Sequence, residues 1–124
     1  MESLSVRTTS QTPIYQQLYD QISSQIVKGT LKADTLLPSI RKMAKELRVS
    51  IITVKKAWEL LEQNGYIYTV AGKGSYVKKN TASMLESKKN ETVRDALKEV
   101  VSLSKQLDVS KEELLKIVSD LFEE

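Results

Sequence analysis

Apolar residues in this chain recur at helical spacing in three short runs and then alternate with polar ones at strand spacing. Ile14, Leu18, Ile22 and Ile26 fall every fourth residue, widened by Tyr15 and Tyr19, which lays one apolar stripe along a helix. Thr12-Pro13 opens that helix as N-cap and first helical residue, where the missing proline N–H costs little, and Gly29 closes it. Ile40, Met43, Ala44 and Leu47 repeat the stripe, Arg48-Val49-Ser50 interrupts it, and Val54, Ala57, Trp58 and Leu61 resume it. Ser50 is placed to cap the new helix and Asn64-Gly65 to end it. Two short helices joined by about three residues make a helix-turn-helix. Residues 66–70 and 75–77 then read as β-strands around Ala71-Gly72-Lys73-Gly74, which adds a hairpin wing.

The ends of the chain follow different rules. Residues 1–11 are polar, show no periodic pattern and are expected to be mobile. Residues 78–83 form a polar connector. From about Ser83 to Leu107 a long helix carries Val93, Ala96, Val100, Leu103 and Leu107 at alternating steps of three and four, a heptad-like seam that Leu97 and Val101 extend sideways. Asp108-Val109 breaks this helix, and Ser110 with Glu113 forms a capping box for the next, which shows Leu114, Leu115, Ile117, Val118, Leu121 and Phe122. A helical hairpin of about 40 residues cannot hide so much apolar surface alone. A second copy is the favoured partner, with Val93, Ala96, Leu97, Val100, Leu103, Leu107, Leu114, Val118 and Leu121 as the dimerisation residues. The expected class is mainly α with a small β-hairpin: a winged helix-turn-helix domain at residues 10–79, then a C-terminal two-helix dimerisation hairpin at 80–124.

Composition narrows the function. The 124 residues contain neither cysteine nor histidine, which removes disulfides, the usual zinc sites and histidine acid–base chemistry. No glycine-rich phosphate loop or metal-ligand cluster occurs, so neither an enzyme nor a cofactor is expected. No run approaches the roughly 20 apolar residues of a membrane span. The first five residues lack the basic and apolar regions of a signal peptide, which makes the cytoplasm the expected location. The net charge of +3 is unevenly spread: residues 1–80 hold 12 Lys+Arg against 6 Asp+Glu, and residues 81–124 hold 7 against 10. Arg41, Lys42, Lys45, Arg48, Lys55, Lys56 and Lys73 make the first part basic, as a surface for a polyanion must be.

Leu37-Pro38-Ser39-Ile40-Arg41, Met43-Ala44, Leu47, Val49-Ser50, Thr53-Val54, Leu60-Leu61, Gly65-Tyr66-Ile67 and the closing Gly72-Lys73-Gly74-Ser75-Tyr76-Val77 carry a resemblance as well as a pattern. They resemble the winged helix-turn-helix domain of GntR-family bacterial transcription regulators over about residues 10–78, and the short tail resembles the YtrA-type subfamily. The resemblance implies double-stranded DNA as partner, a DNA contact for Arg41, and repression by occluding polymerase. It leaves open whether a small-molecule effector binds. Where the family usually has a proline-glycine turn before Leu37, this chain has Ala33-Asp34; aspartate tolerates turn conformations, so the loop is expected to survive.

In a helix-turn-helix the start of the second helix enters the major groove while the first crosses the backbone. Ser50, Ile51, Ile52, Thr53, Lys55 and Lys56 are therefore nearest the bases, with Arg41 able to fork onto guanine or phosphate. Gly72 and Gly74 let the wing backbone approach closely, and Lys73 reaches the minor groove or a phosphate. Ile51-Ile52 departs from the arginine, proline, asparagine or threonine of many relatives. One isoleucine is open to half-burial against the wing and the other to contact with thymine methyl groups. Trp58 reads as core, and Tyr66, Tyr68 and Tyr76 as packing between wing and core. Two functions fit: a homodimeric repressor on a palindromic operator, or a winged-helix adaptor whose basic patch meets an acidic protein.

Overall fold

The computed structural model describes residues 1–80 and 82–124. They divide into two compact units, Met1–Ala82 and Ser83–Glu124. The first unit contains α1 (Ile14–Val27), α2 (Ile40–Leu47) and α3 (Ile51–Gln63), followed by an antiparallel hairpin of β1 (Ile67–Val70) and β2 (Gly74–Val77). Then come α4 (Ala82–Gln106) and α5 (Lys111–Phe122). Thr81 of the expected connector lies outside the described residues.

The stripes read from the sequence meet in one core. Leu18, Ile22 and Ile26 of α1 are buried with Met43 and Ala44 of α2, with Val54, Ala57, Trp58 and Leu61 of α3, and with Tyr66, Ile67 and Val77 at the wing root. Leu18, Ile22, Val54 and Leu61 are fully enclosed. Burial of each such side chain stabilises by about 1.5–3 kcal/mol. Tyr66 meets Tyr19 edge to face, centroids 5.9 Å apart, as expected for wing-to-core packing.

Local chemistry fixes the helix ends. Ser39 accepts from the Lys42 N–H at 3.1 Å and Ser50 from the Thr53 N–H at 3.0 Å, each occupying an amide that the first helical turn leaves unpaired. Arg48 turns left-handed (φ 56°) to end α2, and Gly65 (φ 77°) follows α3. The start of α1 differs from expectation by one residue. Pro13 has ψ 148°, an extended conformation, so it occupies the N-cap and no side chain caps the helix. Thr12 contributes its carbonyl instead, which accepts from Gln17 Nε2 at 2.8 Å.

The Ala33-Asp34 loop holds its turn with Asp34 left-handed (φ 63°), and it does more than connect. Residues 34–37 run alongside β2: Asp34 N–H donates to the Val77 carbonyl, Val77 N–H to Thr35, and Leu37 N–H to Ser75 at 2.7–2.9 Å. The Tyr68 hydroxyl donates to Asp34 Oδ1 at 2.8 Å, and Tyr68 stacks on Tyr76 with centroids 5.5 Å apart. The bond to the Asp34 carboxylate holds the Tyr68 proton and raises its pKa above the usual phenol value. The clasp between loop and wing therefore stays protonated throughout the neutral range.

The mobile leader expected at residues 1–11 is instead tied down over residues 2–7. Gln25, Gln21 and Gln17, one turn apart on α1, each bond both backbone groups of one residue: Gln25 pairs with Glu2, Gln21 with Ser5 and Gln17 with Arg7. A carboxamide offers one acceptor and two donors, so each glutamine acts as a β-strand partner would. Leu4 and Val6 pack against the core from this strap. Gln21→Ala should speed hydrogen exchange at the Ser5 amide and lower the stability of the first unit by about 1 kcal/mol. Unchanged exchange would mean that Leu4 and Val6 hold the strap alone.

In the second unit, Asp108 (φ 57°) breaks the chain between the helices and Ser110 accepts from the Glu113 N–H at 3.1 Å; this is the serine half of the expected capping box, and the Glu113 carboxylate makes no return bond to the Ser110 N–H. Ser104 is its one buried side chain among the described residues, its hydroxyl donating to the Val100 carbonyl. Val93, Ala96, Leu97, Val100, Leu103, Leu107 and Leu121 are exposed, and Leu114 and Val118 half-buried.

Candidate nucleic-acid interface

The buried stripe of α3 decides what the rest of that helix can face. At about 100° per residue, Ile52 lies roughly opposite the stripe formed by Val54, Ala57, Trp58 and Leu61. Lys55, Lys56 and Glu59 share its outward face. Ile52 is 78% exposed and Ile51, nearer the stripe, 45%. The outward face is cationic in its first two turns and acidic beyond, at Glu59 and Glu62. Only the start of the helix suits a polyanion, the end that a helix-turn-helix inserts.

Ser50 and Thr53 are both helix-building and chemically open. Their hydroxyls lie 2.7 Å apart while Ser50 also accepts from the Thr53 amide. One hydroxyl hydrogen is used between them, so whichever oxygen donates, the other hydroxyl keeps a hydrogen for an outside acceptor. The two lysines differ. Lys55 makes an exposed 4.0 Å ion pair with Glu59, the kind of helical pair worth about 0.3–0.5 kcal/mol, which a phosphate readily displaces. Lys56 is drawn toward α1, its Nζ 3.9 Å from the centroid of the Tyr15 ring. Lys55 is thus the freer of the two.

Arg41 is the second residue of α2, exposed, and placed by the Ser39 cap. Its guanidinium makes no hydrogen bond or ion pair among the described residues. The fold brings it into one groove with Lys73 of the wing: residues 36–41, Trp58, Thr69 and residues 73–75 line an opening of about 340 Å³. Ser39 and Leu36 belong to this groove and were not among the candidate DNA-binding residues of the sequence analysis. The S/T-then-helix signal before Ile40 marks Ser39; nothing local marks Leu36, which meets the wing through its bridge to Tyr76 and its side chain beside Gly74.

The wing glycines play separate parts. Gly72 (φ 77°) makes the turn, with Lys73 N–H donating to the Val70 carbonyl at 3.0 Å, and open space surrounds it. Gly74 (φ 126°) is packed: a Cβ there would lie 3.1 Å from Leu36 Cδ1. Close backbone approach at Gly74 therefore serves the fold, and approach to an outside ligand falls to Gly72 and Lys73. Among the described residues, no group of acidic residues could hold a metal ion and no helix is long and apolar enough to cross a membrane.

Comparison with known proteins agrees with this arrangement. The family described as bacterial regulatory proteins, gntR family, matches residues 14–77. The chain is 35% identical over 92 residues to the HTH-type transcriptional repressor YtrA of Bacillus subtilis (strain 168), covering 74% of this chain and 71% of that one. A structure described as a transcriptional antiterminator from Listeria monocytogenes EGD-e superposes with a TM-score of 0.76 at 35% identity, over 97% of this chain and 90% of that one. The DNA-binding domain of AraR, solved in complex with operator ORX1, superposes with a TM-score of 0.55 at 29% identity, over 62% of this chain and 99% of that one. From α1 to the end of the wing, then, this chain has the sequence and fold of a DNA-binding regulator rather than an enzyme, and it belongs to the GntR family of bacterial regulatory proteins.

Proposed function

We propose that the protein is a sequence-specific, DNA-binding transcriptional repressor that acts in the cytoplasm as a homodimer on a palindromic operator. The observation that carries this reading is the shared groove of Arg41 and Lys73 together with a cationic, outward-facing start of α3. The α3 start enters the major groove, bringing Ser50, Ile51, Ile52, Thr53 and Lys55 to the base edges, with Lys56 behind them. Arg41 reaches guanine or the flanking phosphate from α2, and Gly72-Lys73 follows the backbone toward the minor groove.

The dimer half of the proposal rests on the second unit. Its apolar seam is exposed in the single chain, and a lone two-helix hairpin has nothing to cover it. A second copy supplies an identical, self-complementary face around a two-fold axis. Two recognition helices related by that axis read two inverted half-sites, and the occupied operator blocks polymerase.

Arg41→Ala tests the groove. Specific affinity for a selected duplex should fall by about 1–3 kcal/mol, measured by fluorescence anisotropy, with the circular dichroism spectrum unchanged. An unchanged affinity in a folded variant removes Arg41 from the interface.

A further inference from the structure

We infer that Ile52 reads thymine, through the C5-methyl group in the major groove. This rests on the DNA-binding reading above and adds the chemistry of one base contact to it. Ile52 is the most exposed side chain of its kind in the first unit, at 78%, on the face of α3 turned away from the core stripe. It contributes nothing to the fold that a smaller or polar residue would not.

The neighbouring side chains say what covers it. Lys55 stands one turn further along the same outward face, the Ser50–Thr53 pair retains one hydroxyl hydrogen, and Arg41 and Lys73 line a groove of the same unit. These groups suit phosphate and polar base edges, and Ile52, which lies between the Ser50 cap and Lys55 on α3, is an aliphatic side chain that can bind neither. Within the major groove the apolar feature of a base edge is the thymine methyl, and A·T, T·A, G·C and C·G pairs differ there. An isoleucine at this position therefore favours T·A or A·T pairs by contact and penalises cytosine by leaving its amino group without a partner. Ile51, at 45% exposure and nearer the core, flanks the contact rather than making it.

The test removes only the methyl group. Duplexes recovered by the purified protein from a random pool are resynthesised with deoxyuridine replacing each thymine in turn, a change that leaves every hydrogen-bonding edge intact. For the wild-type protein, one or two positions in each half-site should lose affinity about fourfold, the equivalent of ~0.8 kcal/mol for one buried methyl-sized group. Ile52→Ala, which alters no buried contact, should bind the thymine duplex more weakly and show no further loss with uracil at those positions. The inference is overturned if uracil costs nothing anywhere, if its cost persists in Ile52→Ala, or if the recovered half-site holds no thymine. Those outcomes leave DNA binding itself intact. Failure to recover any duplex, even at low salt, overturns the DNA-binding reading and this inference with it.

Discussion

Leu103→Glu combined with Leu107→Glu should turn the protein into a monomer and lower its affinity for a two-half-site duplex by about 10²–10⁴-fold, the range over which tethering a second binding event multiplies affinity. Both leucines are exposed in the single chain, Leu107 at 66%. A glutamate there meets only water unless a partner covers the position, so the substitutions spare the fold of the protomer. Four carboxylates brought into one apolar interface carry a desolvation penalty of several kcal/mol each, which no partner on that face offsets. Light scattering reads the mass and anisotropy reads the affinity. A variant that stays dimeric places the interface elsewhere, and a wild-type protein that is monomeric at micromolar concentration removes the dimer from the account.

Trp58→Ala should unfold the DNA-binding unit at temperatures where the parent is folded. Trp58 is 4% exposed and sits among the side chains of all three helices' core. Truncating a buried tryptophan costs about 3–5 kcal/mol, from lost transfer energy and the cavity left behind. For a unit of this size that corresponds to a fall of roughly 12–40 °C in Tm, out of a total stability of about 5–15 kcal/mol. Thermal melts followed by circular dichroism measure it. A nearly unchanged Tm with lost DNA binding would make Trp58 a base-stacking residue, the role its place on the α3 stripe argues against.

What the sequence made legible was local. Stripes at steps of three and four place the helices because the period of the backbone and the need to bury one face are both present within a dozen residues. Ser50 and Ser110 punctuate the chain through bonds to their own neighbours, and Asp108 and Gly65 through left-handed backbone conformations. The heptad-like seam of α4 is equally local, though its residues stay exposed in the single chain and nothing near them in sequence says what covers them. Long-range pairings were not legible. Gln17, Gln21 and Gln25 look like the solvent side of α1, and only a backbone segment lying beside them makes them a clip for residues 2–7. The same holds for the clasp of Asp34 with Tyr68, and for Leu36 lying over Gly74. For the proposed interface, charge and position are what single out Arg41, Lys55 and Lys73 as candidates. The difference between Lys55 and Lys56 depends on Tyr15, which sits on another helix and carries no signal at a distance in sequence.

On the reading proposed here, two copies of this chain bind a palindrome through α3 and the wing. Selection of duplexes from a random pool by the purified protein, at two salt concentrations, tests it most directly. A dimer should recover inverted half-sites at one fixed spacing, with affinity that falls as salt rises because cations displaced from the phosphates return. Recovery of unselected DNA, bound only at low salt, would contradict it, and would leave the basic face of the first unit as a surface for an acidic protein.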